Sequence, residues 1–221
     1  MSEIAPSGAR PQRADARENV RQILRAARAV FAERGFEVSI EEVARRSGLG
    51  MGTIYRHFPN KHALVEEVAI GHMRETSEVL ARAVDEEPDA WSAFTRVMRH
   101  MAEVRSSQMF PVSRRRTTES GPALVAARDA LLADLEDLMD RAQREGALRT
   151  DVNTYDLVLM MASLPSRIPG DEAAGDLTVD LTGRQLSVLL DGLRAPGAER
   201  LPTPAATRPD LDEFFRTRFG V

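Results

Sequence analysis

The chain has 221 residues, 43% hydrophobic and 29% charged, a composition that excludes wholesale disorder and is long enough to bury two modest cores. It holds no cysteine, which excludes disulfides, thiolate metal sites and a cysteine nucleophile and fits a reducing cytoplasm. The net charge of −4 is segregated: residues 1–62 carry 11 basic against 7 acidic side chains and residues 63–221 carry 19 against 27, a basic head on an acidic body.

Residues 1–13 mix Pro, Gly and Ser without periodicity and read as a flexible arm, with Arg10, Arg13 and Arg17 placed to add phosphate contacts. From Asp15 to Arg34 the pattern turns helical. Val20, Ile23, Leu24, Ala27, Val30 and Phe31 recur at three and four, and Gly35 suits the left-handed position that closes the helix. Ser39 followed by Glu42 predicts a capping box at the start of a helix over Ile40–Ser47. Gly48 then makes the turn, and a second short helix is expected over Met51–His57, stopped by Pro59. Small Ala44, Gly48 four residues on and Ile54 six further follow the spacing of a helix-turn-helix, a motif that projects its second helix into a major groove about 12 Å wide. Its outward side would carry Met51, Gly52, Thr53, Arg56 and His57, with Tyr55 at the edge.

Asn60 is expected to cap a long helix running to Glu87, ended by Pro88. Further helices are predicted over Ala90–Ser106, Pro122–Glu145, Val152–Leu164 and Leu181–Arg194, with breaks over 107–121 and 165–180. Four prolines in 195–210 mark an extended linker, after which Asp210 would cap a short amphipathic segment carrying Leu211, Phe214, Phe215 and Phe219. The expected fold is therefore all-α. An arm (1–14), a three-helix head (15–62), a larger helical body (63–195) and a linker with a terminal helix (196–221) follow in order.

The run G-T-I-Y-R-H-F-P-N-K-H-A-L, preceded by I-E-E-V-A-R-R-S-G-L, resembles the DNA-binding domain of the tetracycline-repressor (TetR) family over residues 17–66. The resemblance implies phosphate contacts from Tyr55, His57 and Lys61, and a base-edge or phosphate contact from Thr53. Gly52 would let the backbone approach the DNA closely, and Met51 would offer apolar contact to a thymine methyl. Ser39, Arg46 and Arg56 complete the candidate DNA-binding set. The ending L-L-D-G-L-R resembles the body of SbtR-like members, and the two apolar helices at 153–164 and 181–194 resemble the pair through which such subunits form homodimers.

No G-x-S-x-G, phosphate-cradling glycine loop, dinucleotide fingerprint or metal-ligand spacing occurs, so neither an enzyme nor a cofactor or metal site is expected. The first twenty residues hold no apolar run and no stretch approaches the roughly 18 consecutive apolar residues of a membrane span, so a cytoplasmic protein with no membrane partner is expected. The functional expectation is a dimeric regulator, a repressor by resemblance, that binds a palindromic operator in double-stranded DNA and is released by a small-molecule effector. Candidate pocket residues are Trp91, Phe94, Met98, Met101, Met109, Phe110, Leu131, Leu135 and Met161, for each of which core packing is the competing reading. Arg105 and Arg114–Arg116 are candidates for meeting an anionic ligand. An architectural DNA-binding protein without a ligand, and an interaction module working through the phenylalanine-rich tail, are the alternatives.

Overall fold

The computed structural model describes residues 9–35, 38–106, 121–164 and 172–219, and side chains throughout these except those of 9–14, 105–106, 172–180, 215 and 218–219. Among the described residues the structure is all-α: α1 (Ala9–Arg34), α2 (Ile40–Ser47), α3 (Met51–His57), α4 (Lys61–Glu86), α5 (Ala90–Ser106), α6 (Pro122–Arg144), α7 (Thr154–Ser163), α8 (Glu172–Leu193) and α9 (Arg208–Phe219).

Two hydrophobic cores form. The first gathers Ile23, Ala27, Val30 and Phe31 of α1 with Val43 and Ala44 of α2, Ile54 of α3, Phe58, and Leu64 and Val68 of α4. The apolar stripe of α1 thus does what its spacing dictates, and Gly35 closes the helix in the left-handed region (φ 75°), its N–H donating to the Phe31 carbonyl at 2.8 Å. The second core collects Leu80 and Ala83 of α4, Phe94, Val97 and Met98 of α5, Leu135, Leu138 and Met139 of α6, Leu157 and Met161 of α7, and Leu186, Leu190 and Leu193 of α8. α4 is common to both. Asn60 caps it, accepting from the Ala63 N–H at 2.9 Å, and its 26 residues span about 39 Å at 1.5 Å per residue.

Four expectations change, three of them before the tail. α1 begins at Ala9 rather than Asp15, so the helix takes in residues read as a flexible arm. α8 begins at Glu172 rather than Leu181, because periodicity was too weak in E-A-A-G-D-L-T-V-D to reveal a helix whose residues still avoid proline. The Ser39–Glu42 capping box is absent: Ser39 occupies the cap position without a side-chain bond to the helix start, while the Glu42 carboxylate is taken by Arg34 at 2.8 Å and by Arg45. A charge-assisted bond outcompetes a backbone N–H that water can serve equally well. A capping box does form at α7, where Asn153 accepts from Tyr155 and Asp156 and the Asp156 carboxylate reaches back to the Asn153 N–H at 3.1 Å.

The proline-rich segment after α8 is tied down along its length. Arg149 bonds the Glu199 carbonyl at 2.7 Å, Asp151 accepts from the Leu201 N–H at 2.8 Å, and Asn153 and Asp156 clasp the two backbone groups of Ala206 at 2.7 and 2.8 Å. The Arg149 guanidinium and the Leu201 N–H hold the Asp151 carboxyl well below its usual range. α9 then packs on α7 with Leu211 buried, and Arg208 pairs with Asp129 of α6 at 3.1 Å. Asp210 is not the cap as expected. It sits inside the first turn and accepts from both the N–H (2.8 Å) and the hydroxyl (2.6 Å) of Thr207, which holds the cap position. The tail thus packs over the chain's own body. Phe215 and Phe219 lie outside the described side chains.

Leu211→Ala should weaken docking of α9 by about 2–4 kcal/mol, the cost of removing a fully buried leucine side chain. Trypsin cleavage at Arg200 and Arg216 should then accelerate at least about tenfold under native conditions, since cleavage follows the population of the opened tail. An unchanged cleavage rate would show that Leu211 does not anchor the tail.

Candidate nucleic-acid interface

α2 and α3 meet through the turn at Gly48, whose φ of 71° is strained for any side chain, and whose N–H donates to the Ala44 carbonyl at 3.0 Å. Ser47 braces this turn: its hydroxyl donates to the Ala44 carbonyl at 2.9 Å and accepts from the Leu49 N–H at 3.3 Å. Gln22 of α1 reaches across to the Ser47 carbonyl at 2.6 Å. Neither Gln22 nor Ser47 was a sequence candidate, because a polar residue on a helix end gives no local sign of which distant carbonyl it will meet.

α3 buries Ile54 completely and turns its other side outward, with Gly52 and Arg56 exposed, Tyr55 46% exposed, and Thr53 and His57 half-buried. The expected face therefore assembles, with qualifications at four positions. Met51, read as outward, is half-buried and packs in part against the head core. His57 is only partly outward: Nε2 is shut off from solvent without a partner, so the ring as placed does not offer that nitrogen at the surface. Arg46 is engaged by Glu33 of α1 at 2.7 and 3.3 Å. Ser39 stands at the start of α2 with its hydroxyl directed to Glu41, whose carboxyl it helps hold below the usual range together with the Glu41 backbone N–H. Lys61 is the first residue of α4 and half-buried. A Cβ added to Gly52 would meet nothing within 4 Å. The chain's own packing thus does not require a glycine there.

Where the head meets the body, α1 lies close on α4. Arg28 of α1 pairs with Glu75 of α4 at 3.3 Å, and a Cβ on Gly71 would come within 2.4 Å of the Arg28 guanidinium. Beneath this pair His72 is 2% exposed with neither ring nitrogen hydrogen-bonded, its Nδ1 3.7 Å from the Glu75 carboxylate. Burial, and then the positive charge of Arg28, push His72 down to about 4; Glu75 opposes this and nearby His100 reinforces it.

Two family models match: "Bacterial regulatory proteins, tetR family" over residues 23–68 and "Transcriptional regulator SbtR-like, C-terminal domain" over residues 87–195. The crystal structure of the TetR transcription regulatory protein from Mycobacterium vanbaalenii is similar over 83% of this chain and 99% of that one, with 32% identity and a TM-score of 0.61. The chain belongs to the TetR family. Its head is a helix-turn-helix DNA-binding domain, and the family's members are transcriptional regulators rather than enzymes. A TetR transcriptional regulator from Streptomyces coelicolor shares the fold, at 24% identity over 80% of this chain and 99% of that one with a TM-score of 0.55. An HTH-type transcriptional regulator of Staphylococcus aureus (strain USA300) is 45% identical over 53 residues, which is 24% of this chain and 29% of that protein, so the match spans under a third of such curated relatives.

Of the pocket candidates in this TetR-family body, Phe94, Met98, Leu135 and Met161 are closed into the core, and Met101 and Leu131 pack against it. Met109, Phe110 and Arg114–Arg116 lie outside the described residues, as does the side chain of Arg105. Of the described candidates only Trp91 borders the open cleft along α5, a cavity of about 650 Å³ whose other walls are Val79 and polar residues outside the candidate set. Among the described residues no cluster of three His, Cys, Asp or Glu is arranged for a metal, and no helix is long and apolar enough to cross a membrane.

The buried neutral His72 makes stability pH-dependent with a defined sign. Its folded value lies below the ordinary histidine value of 6.5, so between the two the unfolded chain binds more protons and stability falls as pH falls. This group should remove roughly 2 kcal/mol between about pH 7.5 and about pH 5. In urea unfolding at the two pH values, His72→Phe should show a correspondingly smaller acid loss than the parent chain. Equal losses would mean that His72 is protonated in the fold without cost.

Proposed function

We propose that this protein is a dimeric, effector-controlled repressor that places α3 of each subunit in a major groove of a palindromic operator in the cytoplasm. The observation that carries the DNA contact is the outward face of α3. Thr53, Tyr55 and Arg56 stand opposite the buried Ile54, and beside them is a glycine that the fold does not need. Gly52 lies in the first turn of α3 with open space around it, so something outside the chain can approach the backbone closely there.

In this reading Tyr55, Arg56 and Lys61 meet phosphates, Lys61 from the positive end of α4, while Thr53 faces a base edge and Met51 adds apolar contact from its half-buried position. Arg46 reaches phosphate by exchanging its exposed Glu33 partner, a pair worth at most about 1 kcal/mol. Ser39 and His57 lie at the margin of the same surface. Val188, 67% exposed, and Leu181, 41% exposed, support a homodimer through α8 together with α7. α9 already covers part of α7, so in this reading the tail borders the dimer contact. An effector needs to prefer one arrangement of α4 by only about 1–3 kcal/mol to change DNA affinity 5- to 150-fold.

The test begins with operator sequences selected from random DNA by the full-length protein, which should be palindromic. In a salt titration on such an operator, Lys61→Ala should lower affinity for all sequences and reduce the salt slope by about one phosphate contact; an unmoved slope assigns Lys61 no phosphate. Thr53→Ala should instead change the ranking of operator variants by about 1–3 kcal/mol at one position of each half-site. A uniform loss across variants would make Thr53 a backbone contact.

A further inference from the structure

The cleft along α5 is built differently from the rest of the body. Its wall holds Thr95, 9% exposed, whose Oγ1 has no hydrogen-bond partner, and His100, whose Nε2 is buried and equally unpartnered. Buried polar atoms without partners are uncommon in folded chains and point to a group that is missing. The cleft also gathers three arginines. Arg96 is committed to Glu86 at 2.7 Å and Glu87 at 3.1 Å. Arg99 and Arg194 form no ion pair with any carboxylate among the described residues; Asp89 feels the charge of Arg194 from a distance, and Glu103 stands on the same wall. The Arg194 guanidinium lies 4.5 Å from the centre of the Trp91 ring, which sets its planar donors in place at the rim. Val79 and Trp91 provide the apolar surface.

We propose that this cleft binds a small organic anion whose carboxylate is held by Arg99 and Arg194 and, on entry, parts the wall that encloses Thr95 Oγ1 and His100 Nε2 to bond them, its apolar body lying on Trp91 and Val79. The volume of about 650 Å³ is in the range of small-molecule sites. A carboxylate suits the donor set because two guanidinium groups, an imidazole and a hydroxyl are mostly donors, and a neutral amide would leave part of that set unanswered. The inference rests on the reading of the chain as effector-controlled and supplies the chemical class of the effector. His100 also connects the cleft to the junction with the head, since it lies near enough to His72 to disfavour the charged form of that buried ring.

Trp91 is the single tryptophan of the chain, so its emission reports the cleft directly. With the full-length protein, 4-phenylbutyrate should change the Trp91 signal saturably at constant ionic strength, and 4-phenylbutyramide should bind at least about tenfold more weakly. Arg99→Gln should weaken the acid by about tenfold and leave the amide unchanged, while Arg82→Gln, an equal charge loss elsewhere on the surface, should alter neither by more than about threefold. Circular dichroism and thermal melting establish that each variant is folded. The site is overturned if the acid does not saturate below about 10 mM, if the amide binds as well, or if Arg82→Gln weakens the acid as much as Arg99→Gln. Operator binding measured with saturating 4-phenylbutyrate separates the two readings. Saturation at Trp91 without a change in operator affinity keeps the site and removes effector control. Operator binding by a protein whose Trp91 signal never saturates removes the site and keeps the regulator.

Discussion

The rest of the structure depends on one helix being a member of two cores. Leu64 and Val68 complete the head, Leu80 and Ala83 complete the body, and the backbone between them is unbroken helix. Neither core can shift relative to α4 without losing buried apolar surface, at roughly 25 cal/mol per Å² uncovered. A displacement of α4 in the body is therefore transmitted to the head as rotation or translation of a rod rather than absorbed in a loop. The connection is strong because burial, not a single bond, enforces it.

Around that rod the polar contacts are few and specifically placed. Arg28 and Glu75 pair between α1 and α4 beside Gly71, where an added Cβ would make the Arg28 guanidinium shift. His72 lies beneath them, buried and without a hydrogen-bond partner. On the far side of α4, the Gly121 N–H donates to Glu66 at 2.7 Å, and Ser77 donates to Asp134 of α6 at 2.7 Å. These contacts index the packed helix against its neighbours in the observed position. Unpaired histidine nitrogens at the junction lower the cost of leaving the present position, because no hydrogen bond there has to be broken.

The tail shows the same economy. A proline-rich strand has little internal hydrogen bonding, so it is ordered only where side chains from elsewhere take up its backbone groups. Arg149, Asp151, Asn153 and Asp156 do this in sequence along one edge, and the N-cap residues of α7 thereby serve both the helix and the strand. The turn carrying Arg149 is itself joined to the end of α8 by backbone bonds of 3.0 Å from Arg149 to Leu193 and from Ala195 to Ala147.

By themselves the residues of this chain determined whatever is local or periodic. The helix-turn-helix, with Ala44, Gly48 and Ile54 at their spacing, the ends of α2, α3 and α5, the Asn60 cap and the family all follow from short-range patterns that the structure reproduces, because helix starts, stops and apolar stripes are encoded within a few residues. Competition and distance were left to the tertiary structure. Glu42 is taken from a capping role by Arg34, which lies within reach across the turn, and Met51 packs partly inward against the head core. Phe94, Met98 and Leu135 are pocket candidates for which core packing is the favoured reading, and packing closes over them. Thr95, Arg99, His100 and Arg194 show no pattern in the chain, since what unites them is that α5 and the end of α8 bring them to the wall of one cleft.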